Sequence, residues 1–185
     1  MSVMLDIGVF LVQTILSLYT SAIILRFLLG YARADFYNPL SQFLVKITNP
    51  VLVPARRFLP SIGKLDTSAV AVAYIIILIK GILLNSMMSA GFSIVSLLFM
   101  SVGELISSVI WMYIIGLLIM AVISWIGSAQ GNPVLPLINS LTAPLLAPFR
   151  KFIPPVGMMD LTPMAAMLAL YILLIVVKGI FHPVF

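Results

Sequence analysis

Four stretches of this 185-residue chain are long, apolar and almost free of charge: residues 7–29, 68–84, 105–126 and 164–181. A helix needs about 20 such residues to cross the roughly 30 Å hydrocarbon core of a bilayer, and the second and fourth stretches lie near the lower limit. Backbone polar groups cannot be left unpaired in hydrocarbon, so an unbroken apolar run of this length folds there as a helix. Composition agrees, with 8% charged residues and a mean hydropathy of +1.25, against about a quarter charged in a soluble domain. The chain reads as an all-α membrane protein with four transmembrane helices. Asp6 is the only early charge and no small-residue cleavage site follows it, so the first run is expected to be a retained helix and not a signal peptide.

What charge there is lies close together. Seven of the fifteen charged residues fall in two proline-rich stretches, residues 49–66 and 143–160, which align without a gap at an offset of 94. Asn49, Pro50, Pro54, Arg56, Arg57, Phe58, Pro60, Gly63 and Asp66 stand in the first. Ala143, Pro144, Pro148, Arg150, Lys151, Phe152, Pro154, Gly157 and Asp160 answer them in the second. The same offset matches Asn38-Pro39 with Asn132-Pro133, Thr48 with Thr142 and Tyr31 with Trp125. The chain therefore divides into a first repeat (1–85), a connector (86–103) and a second repeat (104–185), each repeat a helical hairpin closed by a motif loop, 38–66 or 132–160.

Within each loop, Asn followed by Pro is a helix start, with Asn as cap and Pro at the first helical position. Leu40, Phe43, Leu44 and Ile47 then share one face and Ser41, Gln42 and Lys46 another, which predicts a short amphipathic helix in the membrane interface. The prolines beyond it predict that regular helix stops and a short-helix-and-turn loop follows. Gly63 and Gly157 suit a turn at positive φ. Asp66 and Asp160 suit the amino termini of the next helices, and each follows an arginine by ten residues, so Arg56–Asp66 and Arg150–Asp160 pairs would clamp the loops.

Residues 85–103 are uncharged and long enough to span, yet rich in serine. If they span, the motif loops face opposite sides of the membrane. Arg33, Lys46, Arg56, Arg57, Lys64, Arg150 and Lys151 all flank the motifs, and basic residues concentrate in cytoplasmic loops. The expectation is therefore that both loops are cytoplasmic, both termini periplasmic, and 86–103 a surface-lying or partly inserted connector. Like order and sidedness predict repeats related by a parallel pseudo-twofold.

The remaining charges lie in or beside the spans. Arg26, one turn from the end of the first helix, is placed to snorkel to the headgroups. Asp6, Lys80, Glu104 and Lys178 repeat at an offset of 98 and not 94. Two readings are open for the lysines: snorkelling, or pairing within each repeat, Asp6 with Lys80 and Glu104 with Lys178. Gln13, Thr14, Ser17, Thr20 and Ser21 share a face of the first helix, which reads as a packing face or alternatively a polar pathway.

Chemistry is mostly excluded. There is no cysteine and one histidine, His182, hence no disulfide, thiol nucleophile, His-based triad or multi-His metal site. No nucleotide-binding or metalloprotease fingerprint appears, so neither an enzyme nor a cofactor is expected. The net charge of +5 is scattered over helix ends and short loops, so nucleic acid is not a direct partner.

Two copies of N-P-x-L-x-P-x-R-[RK]-F-[LI]-P-x-[IV]-G-x-x-D, each between membrane helices and preceded by Asn-Pro, and departing only where Ala143 stands for Asn49, resemble the YggT family of small bacterial and plastid membrane proteins. Two tandem repeats look like its longer, Gram-negative form. The resemblance implies connections with osmotic-stress tolerance and potassium uptake, or, through plastid and cyanobacterial relatives, with cytochrome b6 haem attachment, nucleoid distribution and division. It assigns no enzymatic residue. The function expected is that of a non-enzymatic bacterial inner-membrane protein, an assembly or scaffold factor or one serving osmotic-stress tolerance. Its partners would be the lipid bilayer, and anionic lipid headgroups or a membrane protein docked at the motif loops, with a homo-oligomer also possible. The basic pairs Arg56-Arg57 and Arg150-Lys151 would hold cations at the surface for docking, or serve only to set topology. The alternative function is an oligomeric component of cation (potassium) uptake or osmotic transport.

Overall fold

A computed structural model describes residues 3–89, 91, 93–126, 132–152 and 160–181. Among them are six helices: α1 (Val3–Tyr31), α2 (Pro39–Phe58), α3 (Thr67–Met87), α4 (Ile94–Ile126), α5 (Val134–Phe152) and α6 (Thr162–Phe181). α1, α3, α4 and α6 are long and apolar enough to cross a membrane. α1 packs on α3 and α4 on α6, while α2 and α5 each fold back onto their own hairpin. Each hairpin has its own buried centre, around Ile23, Leu52 and Ala73 in the first and Leu117, Leu146 and Leu174 in the second.

The prolines do not stop α2. It continues through Pro50 and Pro54 to Phe58, and α5 likewise passes Pro144 and Pro148 to reach Phe152, so the short helix expected from the sequence is replaced by one of 20 residues in the first repeat. The reason is where the prolines lie. Each pair is spaced by one turn and is exposed, so both missing backbone bonds fall on one outer face. The opposite face buries Ser41, Leu44, Thr48 and Leu52 in α2, and Leu137, Leu141, Thr142 and Leu146 in α5. An interior proline costs about 3 kcal/mol or more, and each leucine buried on the inner face returns about 1.5–3 kcal/mol. Ser41, expected on the polar face, is 2% exposed and donates to the Asp35 carbonyl at 2.9 Å.

The connector is shorter than expected. α4 begins at Ile94, so residues 94–103 extend the third span and only 88–93 separate it from α3. Serine disfavours a helix interior because its hydroxyl competes for the backbone. Here Ser101 Oγ donates to the Leu97 carbonyl one turn back, at 2.8 Å, without breaking the helix. Tertiary contacts hold the extension: the Tyr74 hydroxyl donates to the Leu98 carbonyl at 3.2 Å, and the Phe99 and Phe181 rings lie 4.6 Å apart.

Both motif stretches lie at the same end of the bundle. Asn38 Nδ2 donates to the Pro133 carbonyl at 2.6 Å, and Leu29, Ala34, Leu44 and Leu137 form one buried cluster across the two repeats. The asparagine caps form as expected: Asn38 Oδ1 accepts from Leu40 N at 3.0 Å and Asn132 Oδ1 from Val134 N at 2.9 Å.

Candidate functional site at the motif loops

Arg26 does not snorkel. It is 7% exposed, and its Nη1 donates to Thr48 Oγ1 at 2.6 Å, to Asn49 Oδ1 at 2.8 Å and to the Val45 carbonyl at 3.4 Å. Thr48 Oγ1 in turn donates to the Leu44 carbonyl at 2.6 Å. The arginine thus ties the end of α1 to the middle of α2. In the second repeat the corresponding residues are Met120 and Ala143, and Thr142 Oγ1 lies 3.5 Å from the Met120 sulfur while donating to the Ile138 carbonyl at 2.8 Å. The one departure between the motifs, Asn49 against Ala143, is therefore half of a linked change. Its other half was visible in the 94-residue register as Arg26 against Met120, at a position outside the motif.

The loop after α2 is closed as the sequence suggested. Arg56 forms an ion pair with Asp66, whose other oxygen caps α3 by accepting from Ala69 N at 3.3 Å and also accepts from Ser68 Oγ. Thr67 Oγ1 donates to the Pro60 carbonyl at 2.7 Å, and Gly63 takes a φ of 60°, a conformation that favours glycine. Burial pushes the Asp66 carboxyl up, but the hydrogen bonds from Arg56 and Ser68, the arginine's charge and the Ala69 N–H outweigh it and hold the group below the usual carboxylate range. Asp160 behaves alike. Burial acts upward, yet bonds from Thr162, including its N–H at 2.9 Å, and the Arg150 charge 3.7 Å away leave it lowered. Pro154 and Gly157 lie outside the described residues.

Arg57 and Lys151 are exposed, and beside them Phe58 and Phe152 are 83% and 84% exposed. Behind the first loop is a cavity of about 300 Å³ whose lining includes Arg26, Tyr31, Arg56, Ser61, Lys64 and Asp66. Three cations and one carboxylate meet there.

At the far end the within-repeat pairs do not form, and Lys80 differs from both sequence readings. Lys80, 8% exposed, pairs with Glu104 of the other repeat and donates to Ser17 Oγ at 3.1 Å. Asp6, the expected partner of Lys80, and Lys178, the expected partner of Glu104, are both exposed and have no ion pair among the described residues. The short link between α3 and α4 explains the exchange. Lys80 lies ~10 Å before the end of α3 and Glu104 ~15 Å into α4, at 1.5 Å per residue, on neighbouring antiparallel helices.

Two hairpins of spanning helices, each folding a proline-bearing amphipathic helix and a basic loop onto the same end of the bundle, define a duplicated multi-pass α-helical membrane protein. The chain matches the family described as CCB3/YggT twice, over residues 5–87 and 99–181, and it belongs to that family. Both matches keep the 94-residue register of the motifs. Among similar proteins is an uncharacterised protein of Pseudomonas aeruginosa, 39% identical over 165 residues, covering 88% of this chain and 84% of that one. An uncharacterised protein named YggT from Escherichia coli K12 is 37% identical over 171 residues, covering 89% and 85%. One from Vibrio alginolyticus, also uncharacterised, is 40% identical over 156 residues, covering 83% of each. No solved structure matches the chain significantly.

Proposed function

We propose that this is a non-enzymatic inner-membrane protein whose motif loops, on the cytoplasmic side, bind anionic lipid headgroups, as an assembly or scaffold factor or in osmotic-stress tolerance. The observation that supports this is the 300 Å³ cavity behind the first loop, where Arg26, Arg56 and Lys64 face a single carboxylate, Asp66. A phosphate-bearing headgroup would meet a surplus of positive charge there, and Lys64 has no ion-pair partner among the described residues to compete for it. Basic residues at an anionic leaflet each contribute about 1 kcal/mol. Arg57, Lys151, Phe58 and Phe152, exposed at the surface, add the cations and interfacial aromatic rings that such a surface holds. The cytoplasmic placement rests on the basic residues that flank the motifs.

The test is lipid retention. Protein purified from bilayers of mixed composition should carry anionic lipid in excess over zwitterionic lipid, and Arg56→Gln with Lys64→Gln should reduce that excess several-fold. Equal retention of both lipid classes by the unaltered protein would overturn the reading. Cation flux through liposomes containing the protein alone would favour a transport role instead.

A further inference from the structure

The charges at the far end of the bundle are paired on one side only. Lys80 of α3 reaches Glu104 of α4, a contact made between repeats. Its counterpart in the duplicated sequence is Lys178 of α6 with Asp6 of α1. Within the chain those two helices are not packed together, since α1 lies on α3 and α6 on α4. Lys178 and Asp6 are left exposed, without an ion-pair partner among the described residues.

Their depths match each other. In the 94-residue register of the motifs, Asp6 lies four residues further from the motif end than Glu104, and Lys178 four residues further than Lys80. Four residues are one helical turn, ~6 Å. The acid has moved earlier in sequence and the lysine later, and because α1 and α6 run in opposite directions both shifts point toward the far surface. Lys80 and Glu104 are thus level with one another, and Lys178 and Asp6 level with one another one turn beyond. Pairing within repeats would have set an inner group against an outer one in each. The change of offset from 94 to 98 keeps both cross-repeat pairs level while setting the members of each within-repeat pair one turn apart.

The faces bearing the unpaired charges also suit contact with protein. On α1, Phe10 and Gln13 lie four and seven residues from Asp6 and are exposed on the same side. Gln13 lies within the first span with its amide facing outward, an arrangement disfavoured against hydrocarbon. On α6, Tyr171 and Ile175 are exposed in line with Lys178, and a Cβ at Gly179 would meet nothing within 4 Å.

We propose that these faces are covered by a second copy of this chain, with Lys178 of one copy paired to Asp6 of the other. The contact repeats between chains the pairing that Lys80 and Glu104 make within one, and two copies close it when each gives its lysine to the other's aspartate. A charge at the edge of the hydrocarbon thereby gains its partner.

The chain has no cysteine, so single-cysteine variants report this contact directly. Differently tagged Asp6→Cys and Lys178→Cys chains, reconstituted together and oxidised, should give a mixed disulfide dimer at several-fold the yield of either variant alone. The doubly substituted chain should also crosslink as a dimer. A charge reversal, Asp6→Lys or Lys178→Asp, should lower the dimer fraction counted by single-molecule photobleaching in vesicles, and the two reversals together should restore it. Should a reversal fail to fold, the cysteine experiment decides alone. A disulfide closed within one monomer, dominant crosslinking between two Asp6→Cys chains, or a monomer at every protein density would overturn the proposal.

Discussion

Replacing Arg26 by Met and Asn49 by Ala would give the first repeat the residues that the second already has at positions 120 and 143. The effect of each change depends on the other. Asn49→Ala alone removes a 2.8 Å acceptor from a guanidinium that is 7% exposed, and a hydrogen bond to a charged group is worth about 1.5–3 kcal/mol. Arg26→Met alone leaves the Asn49 amide oxygen without its charged donor in a half-buried position, at a cost of about 1–3 kcal/mol. Together the changes substitute an apolar contact of similar volume for a buried polar cluster, an exchange that is often neutral or stabilising. Thr48 keeps its bond to the Leu44 carbonyl in either case. Each single variant should therefore melt about 4–8 °C below the parent in detergent or bicelles, taking about 2–4 °C per kcal/mol for a chain of this size. The double variant should melt within about 2 °C of the parent, which corresponds to a coupling of about 3–4 kcal/mol, close to the sum of the two single losses. If the losses of the two single variants simply add, the linked-pair argument is wrong.

Three further outcomes follow from the packing. Gly103 lies where α4 meets α6, and a Cβ there would stand 2.2 Å from Phe181 Cβ, so Gly103→Val should cost about 1–3 kcal/mol, while Gly30→Ala, whose Cβ would meet only Phe36 Cζ at 3.7 Å, should be neutral or raise the melting temperature; equal effects at both sites would refute the close crossing. Lys80→Glu should be rescued by Glu104→Lys and not by Asp6→Lys, read as recovery of folded protein in membranes; rescue by the Asp6 change would restore pairing within the repeat. Asp66 titrates below its unfolded value of about 3.9, so its stabilising contribution is present above about pH 4 and is lost as pH falls through the lower folded value. Asp66→Asn should flatten the acid limb of a melting-temperature profile taken from about pH 6 to 2, and an unchanged limb would show that the Arg56 pair contributes nothing.

Signals that act within a few residues were legible in the chain. The apolar runs specify spanning helices because a bilayer offers the backbone no other partner, and the motif register specifies duplication. Asn38 with Pro39, Asp66 before α3 and Gly63 at its turn are recognisable because caps and positive φ depend on the residue and its immediate neighbours. The fate of α2 at Pro50 was not legible, since local preference ends a helix there and the burial of Leu44, Thr48 and Leu52 against α1, α3 and α5 carries it on. The start of α4 depended in the same way on Tyr74 and Phe181, far away in sequence. Arg26 looked like a snorkelling residue because its acceptors come from a helix some twenty residues later. Lys80 had two acids available, one in each repeat, and charge alone does not choose between them. The folded chain chooses Glu104 because a short link places α3 beside α4 at the matching depth, a relation between helices that no run of neighbouring residues encodes.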